Sequence, residues 1–169
     1  HVPFCAKRCV YCDFFSTVTT PVPSDSYVEA VKAEWRRRRL SFQDEGPISV
    51  YIGGGTPSVF PASAISALLM SFPVGGEVEA TVEVNPGDPD RDWFERLLDA
   101  GASRFSIGVQ ALDAGRLSWL GRRHTVEQAY RAIEWAKKSK AGSVSADIIY
   151  GTPGQTEEAL AAELERLAD

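Results

Sequence analysis

Beyond residue 12 this chain contains no cysteine, and its 169 residues carry only two histidines and one methionine. A disulfide framework is thereby excluded, because Cys5, Cys9 and Cys12 cannot pair off and have no distant partner. Long apolar runs are also missing. None approaches the roughly 20 residues of a membrane-spanning helix, and no signal peptide is visible. Positive charge is scarce: 18 Lys and Arg against 23 Asp and Glu leave a net charge of −5. Such a balance gives no electrostatic support to bulk nucleic-acid or membrane binding. The one basic run, Arg36-Arg37-Arg38-Arg39, ends an amphipathic stretch with Val28, Val31 and Trp35 at helical spacing. A solvated face at a helix C-terminus, favoured by the helix dipole, accounts for it.

What the chain does have is concentrated at its start. All three thiols fall within the run His1-Val2-Pro3-Phe4-Cys5-Ala6-Lys7-Arg8-Cys9-Val10-Tyr11-Cys12-Asp13-Phe14. Soft thiolates clustered on one short loop are ligands for an iron–sulfur cluster or for zinc. A structural zinc site takes four protein ligands. The only imidazoles are His1 and His124, and they form no second ligand pair of the zinc-finger kind. Three thiolates suit a [4Fe–4S] cube with its fourth iron open to a small molecule. A cube and a zinc site are the two readings that the spacing leaves. Tyr11, between two of the thiols, is placed to shield a cluster or lie against a bound cofactor. Free clustered thiols fit a reducing compartment, so a cytoplasmic location is expected.

The remainder reads as alternating strands and helices. Helices are expected at about 25–40, 62–72, 90–100, 113–120 and 125–138, with a last one carrying Leu160, Leu164 and Leu167. Strands are expected at 48–52, 78–84, 104–109 and 144–150, and a Pro/Ser/Thr-rich stretch covers 16–26. Repeated βα units imply an α/β fold with a parallel sheet.

Three of these strands alternate in a way a doubly covered parallel strand does not. Ala80, Val82 and Val84 alternate with Glu79, Thr81 and Glu83; Phe105, Ile107 and Val109 alternate with Ser106, Gly108 and Gln110. Val144, Ala146 and Ile148 likewise alternate with Ser145, Asp147 and Ile149. One small or polar face points to a wet interior that accepts a ligand. Ligands in α/β folds gather at the carboxyl ends of strands. The cysteine loop, Gly53-Gly54-Gly55-Thr56-Pro57, Glu83, Gln110 and Asp147 all fall there. The glycines are expected to let backbone approach a ligand that any Cβ would block. The dinucleotide spacing G-x-G-x-x-G is absent.

Cys-x3-Cys-x2-Cys with an aromatic before the last cysteine resembles the signature of the radical S-adenosylmethionine (SAM) superfamily. His1-Val2-Pro3-Phe4-Cys5 before it and Asp13-Phe14 after it are similar to the group of oxygen-independent coproporphyrinogen III oxidases and HemW heme chaperones. The resemblance implies a partial (β/α)6 TIM-like barrel, here about five βα units. It also implies a cluster held by Cys5, Cys9 and Cys12, from which one electron cleaves a sulfur–carbon bond of bound SAM. The glycine segment, represented by Gly54, Gly55 and Thr56, would receive the SAM amino group. Thr81-Val82-Glu83-Val84-Asn85-Pro86 resembles the segment whose glutamate contacts SAM, which gives Glu83 that role. Ser106-Ile107-Gly108-Val109-Gln110 supplies Gln110, Leu120-Gly121-Arg122-Arg123-His124 supplies Arg122, and Ala146-Asp147-Ile148 supplies Asp147. Arg122 suits a carboxylate, which a guanidinium binds through two parallel hydrogen bonds. Tyr11 joins them as a cofactor neighbour.

The departures are informative. The oxidases carry a further cysteine two positions past the third ligand, where this chain has Phe14. Phe14 favours the HemW-like branch, with heme binding and delivery, over the decarboxylase branch. The family's tyrosine two positions before the opening histidine lies outside the chain. Residues 1–169 are expected to be one incomplete core domain lacking the branch's C-terminal region. The partners implied are heme or a porphyrinogen, an electron donor and an acceptor hemoprotein.

Overall fold

The computed structural model describes residues 1–42, 46–74 and 76–168. Four strands, β3 (Ser49–Ile52), β4 (Glu79–Val84), β5 (Arg104–Gln110) and β6 (Ser143–Ile148), form one sheet in that order, every pair parallel. Helices make the crossovers: α2 (Ala62–Leu69), α3 (Arg91–Asp99), then α4 (Ala114–Trp119) and α5 (Val126–Lys138). Before the sheet come β1 (Phe4–Cys5), β2 (Thr17–Val18) and α1 (Ser24–Arg38); α6 (Glu157–Ala168) follows it.

Local chemistry explains where the helices begin. Asp90 accepts a hydrogen bond from the Trp93 amide at 3.0 Å and starts α3. Asp113 does the same for α4 through the Arg116 amide, at 2.7 Å. Thr125 and Gln128 form a reciprocal capping box at the head of α5. The Arg36–Arg38 run ends α1 exposed to solvent, as its charge pattern predicts.

The sheet is two-faced. Ala80, Val82, Phe105, Ile107 and Val109 are fully buried against Phe60, Ile65, Leu69, Phe94 and Leu97 from the helical layer. Phe94 and Phe105 meet edge to face with ring centroids 5.0 Å apart. On α5 the side facing the core is Ala129, Ala132 and Ala136, whose small side chains bring the helix close to the sheet. The opposite sheet face carries Tyr51, Thr81, Glu83, Ser106, Gln110, Ser145 and Asp147. A ladder of hydrogen bonds crosses it, from Arg104 to Ser145 at 3.1 Å, Ser145 to Ser106 at 3.2 Å and Ser106 to both Asp147 oxygens at 3.1 and 3.0 Å.

Two details differ from the sequence expectation. Thr17–Val18, inside the Pro/Ser/Thr-rich stretch, is a short strand that pairs parallel with Phe4–Cys5. In α6 the expected leucine stripe is only part of what docks the helix: Leu167 packs against the core and Leu160 is half-buried. Leu164 is half exposed, whereas Glu163 is buried, accepting from the Leu112 amide and pairing with Arg116 at 2.5 Å. A non-local ion pair orients this helix, and leucine periodicity carries no record of it.

Among the described residues β6 has no strand on its outer side, and Ala146 and Asp147 on it are exposed. Open parallel edges recruit other chains. The isolated 169-residue chain is therefore expected to associate in size-exclusion chromatography with light scattering. A sharp, reversible melt of a monomer is the contrary result.

Candidate functional site

The site begins with two backbones lying against each other. The Val2 amide donates to the Gly53 carbonyl and the Gly55 amide donates to the Val2 carbonyl, both at 2.7 Å. The Thr56 amide donates to the Phe4 carbonyl at 2.8 Å. This zipper carries Cys5 to the carboxyl end of β3, where Thr56 Oγ1 donates to Cys5 Sγ at 3.4 Å. A Cβ on Gly55 would stand 2.7 Å from the Phe4 carbonyl oxygen, and one on Gly54, whose φ is +118°, 2.9 Å from that of Val2. The glycines thus admit the protein's own backbone, a role beside the approach to a ligand expected of them. Gly54 and Gly55 still border the cavity described next.

The loop between β1 and β2 folds over the strand ends. It returns through the Thr17 amide, which donates to the Pro3 carbonyl at 2.8 Å, and the Cys12 amide donates to the Cys9 carbonyl at 3.2 Å. Cys5 is buried; Cys9 and Cys12 are half-buried. Between this loop and the strands lies a cavity of about 410 Å³. Every residue given a cluster or cofactor role by the family resemblance lines it: the three cysteines with Tyr11, then Gly54, Gly55, Thr56, Glu83, Gln110, Arg122 and Asp147. Segments up to about 140 positions apart in the chain converge there.

Arg122 is delivered by a helix end. At the close of α4, Gly121 takes φ +72°, its amide donates to the Ser118 carbonyl, and the Arg122 amide donates to the Leu117 carbonyl. This pair of bonds is the Schellman arrangement. The backbone of Arg122 closes the helix while its side chain enters the site. Nη2 donates to Asn85 Oδ1 at 2.7 Å and to the Gly108 carbonyl at 2.9 Å. Nη1 reaches the Tyr11 hydroxyl at 3.2 Å and Cys9 Sγ at 3.6 Å, and the buried Nε has no partner among the described residues. A Cβ on Gly108 would come within 3.3 Å of this guanidinium. Asn85 is held in turn by Asp88, to which its amide donates at 2.8 Å, and Ser58 donates to the same Asp88 oxygen at 3.2 Å.

Glu83 receives the Gly54 amide at 3.0 Å and the Tyr51 hydroxyl at 2.7 Å. No cation pairs with it among the described residues. Gln110 sits at φ +65°, in the left-handed region, at a bulge where β5 and β6 shift register. Burial, opposed by Arg122, pushes the Tyr11 phenol up to about 12. The sequence reading did not single out Tyr51, Asn85, Ser58 or Asp88. Tyr51 alternates with Val50 and Ile52, so the period of two could have revealed it.

The donor set can be tested against a metal or cluster. Among the described residues no three His, Cys, Asp or Glu side chains converge as the ligands of a single ion. His1 Nε2 bonds to the Phe15 carbonyl at 2.9 Å, and His124 is buried against the Val109 carbonyl at 3.0 Å. Neither imidazole joins the thiols to complete a zinc tetrahedron. Three thiols spread around a cavity suit a cube, in which each cysteine holds a different iron. Across the cavity, Glu83 and Asp147 present negative charge and Arg122 positive charge, a set complementary to a zwitterion.

His124 supplies a pH test of this scaffold. Burial, helped by the Arg122 charge, lowers its pKa from 6.5 to about 4. Below the unfolded value the unfolded chain gains a proton that the folded chain refuses, so stability is lost as pH falls from 6.5 towards 4. The loss from this group is on the order of 3 kcal/mol. His124→Gln, which keeps a donor for the Val109 carbonyl, is expected to flatten this part of the profile in urea titrations. An unchanged profile would reject the assignment.

Comparison with known proteins agrees with the geometry. The model of the radical SAM superfamily matches residues 1–167. The chain is 37% identical to the heme chaperone HemW of Lactococcus lactis over all of its own length and 45% of that protein. It is 32% identical to the oxygen-independent coproporphyrinogen III oxidase of Paracoccus denitrificans, over 99% of the chain and 38% of the relative. The solved structure of the coproporphyrinogen III oxidase HemN from Escherichia coli, described as a radical SAM enzyme, superposes with a TM-score of 0.88 at 30% identity. It covers 99% of this chain and 40% of its own. The chain therefore spans less than half the length of these relatives. Its parallel α/β sheet is the partial TIM-like barrel of that fold, and its family implies a [4Fe–4S] cluster and SAM as cofactors. The chain belongs to the radical SAM superfamily.

Proposed function

We propose that residues 1–169 are one core domain of a HemW-like protein that binds a [4Fe–4S] cluster and SAM and takes part in heme binding and delivery. The observation that carries the reading is the set of three thiols around a cavity that Glu83, Arg122 and Asp147 also line, with no imidazole beside them. In this reading Cys5, Cys9 and Cys12 each hold one iron. A cluster of this kind, when bound, supplies an electron and an open iron to its cofactor. The protein's part is to bind, orient and exclude water. Arg122 takes the SAM carboxylate and Glu83, with the Gly54–Thr56 segment, takes the amino group. Gln110 and Asp147 make further cofactor contacts, and Tyr11 covers the cluster side. The Asn85–Asp88–Ser58 frame holds Arg122 in place before the ligand arrives, which lowers the ordering cost of binding.

Phe14 supports the heme-handling branch. It lines the cavity, 60% exposed, two positions past the third thiol, where the oxidase branch has a further cysteine. A second reading, oxidative decarboxylation of coproporphyrinogen III, draws on the overlap with the solved oxidase. An electron donor and an acceptor hemoprotein are the partners of the first reading. The unpaired thiols support a cytoplasmic setting, and no described helix is long and apolar enough to cross a membrane.

Anaerobic reconstitution of the full-length parent protein is expected to incorporate about four irons and four sulfides per chain. Alanine at any of the three cysteines should abolish this incorporation. Stoichiometric zinc without sulfide would end the cluster reading. Offered heme and coproporphyrinogen III in parallel, the reconstituted protein should retain heme and form no vinyl product. Vinyl product would transfer the assignment to the oxidase reading.

A further inference from the structure

One side chain on the polar sheet face has no part in the roles above. Tyr51 stands on β3 and does not line the cavity, yet its hydroxyl donates to Glu83 Oε1 at 2.7 Å. The other carboxylate oxygen, Oε2, accepts from the Gly54 amide at 3.0 Å. Gly53 makes the meeting possible. A Cβ there would lie 2.6 Å from Tyr51 Cε1 and 2.8 Å from Glu83 Oε2.

Both donors are neutral, which decides what Glu83 can do. A lysine or arginine in place of Tyr51 would cancel the carboxylate charge before any ligand arrived. The phenol orients the carboxylate and leaves its charge in place. Although Tyr51 is 55% exposed, partial desolvation first, then its hydrogen bond to Glu83 and the adjacent Glu83 and Asp147 carboxylates, push the phenol up to about 12, so it stays a donor throughout the physiological range. Each Glu83 oxygen accepts one hydrogen bond from within the protein and keeps a lone pair for a second donor.

We propose that Tyr51 is a positioning residue that fixes Glu83 as the acceptor for an N–H of a primary amine, the α-amino group of SAM and of related aminoacyl nucleosides. The inference rests on the SAM site proposed above and identifies what aims the Glu83 carboxylate at the amine. Tyr51 acts through Glu83 alone, so its effect should vanish for any ligand without the amine.

The test compares wild type, Tyr51→Phe, Glu83→Gln and the double variant in the cluster-loaded full-length protein. The ligands, followed by anaerobic calorimetry, are SAM, S-adenosylhomocysteine and the des-amino analogue of S-adenosylhomocysteine. Tyr51→Phe should weaken SAM and S-adenosylhomocysteine about tenfold, the scale of one hydrogen bond to a charged group, and leave the des-amino analogue unchanged. In the Glu83→Gln background the same substitution should add nothing. Equal losses for all three ligands, or no loss for the amines, would overturn the inference. Wild-type protein that holds a cluster yet binds no SAM would instead overturn the site reading, and this inference with it.

Discussion

The site depends on one steric constraint, the contact between residues 2–5 and the glycine segment 53–56. Two hydrogen bonds of 2.7 Å join Val2 to Gly53 and Gly55. The contact closes only because Gly55 has no Cβ to strike the Phe4 carbonyl. Cys5 is thereby anchored at a strand end, and the β1–β2 pairing fixes the far end of the loop that carries Cys9 and Cys12. A larger residue at 55 would push the first thiol away from its position. The effect would spread to Thr56, which donates to that thiol, and to Gly54, whose amide holds Glu83.

A second layer gives the site its charge pattern. Arg122 reaches the cavity from a Schellman turn and is gripped by Asn85 and the Gly108 carbonyl. Asn85 and Asp88 belong to the loop after β4, so helix α4 and strand β4 are tied together through the same guanidinium. Polar networks of this kind rigidify a site as their members find partners, and in this half-buried one only the Arg122 Nε is left without a partner among the network's described side chains. Here the network places one positive group opposite two carboxylates, each oriented by neutral donors: Tyr51 and the Gly54 amide for Glu83, Ser106 for Asp147. Fixed charges of both signs across one cavity suit a small zwitterion.

Much of the fold was legible because its signals are local. Alternation over 78–84 and 104–109 separated the helix-facing side of the sheet from the cavity side, since side chains on a strand alternate strictly. Asp90, Asp113 and Thr125 marked helix starts because a cap is a contact over three residues. The pairing of Thr17–Val18 with Phe4–Cys5 was not legible, because two residues show no period. The docking of α6 was legible only in part. Its leucines suggested an apolar face, and Leu167 does pack against the core, but the Arg116–Glu163 pair crosses 47 positions and leaves no periodic trace. Tyr51 went unnoticed for a similar reason, as its importance lies in a carboxylate 32 positions away.

The sequence by itself determined the fold class and the set of residues at the strand ends, and its thiol spacing narrowed the ligand chemistry to a cube or a zinc site. Thiol spacing, glycine triplets and strand period are properties of neighbours along the chain. Only the tertiary structure decided how those residues serve one another. It showed that the glycines admit the protein's own backbone, that Arg122 is held before any ligand binds, and that both imidazoles are engaged away from the thiols. Those outcomes depend on close approaches between segments far apart in the chain, and such distances exist only once the sheet has formed.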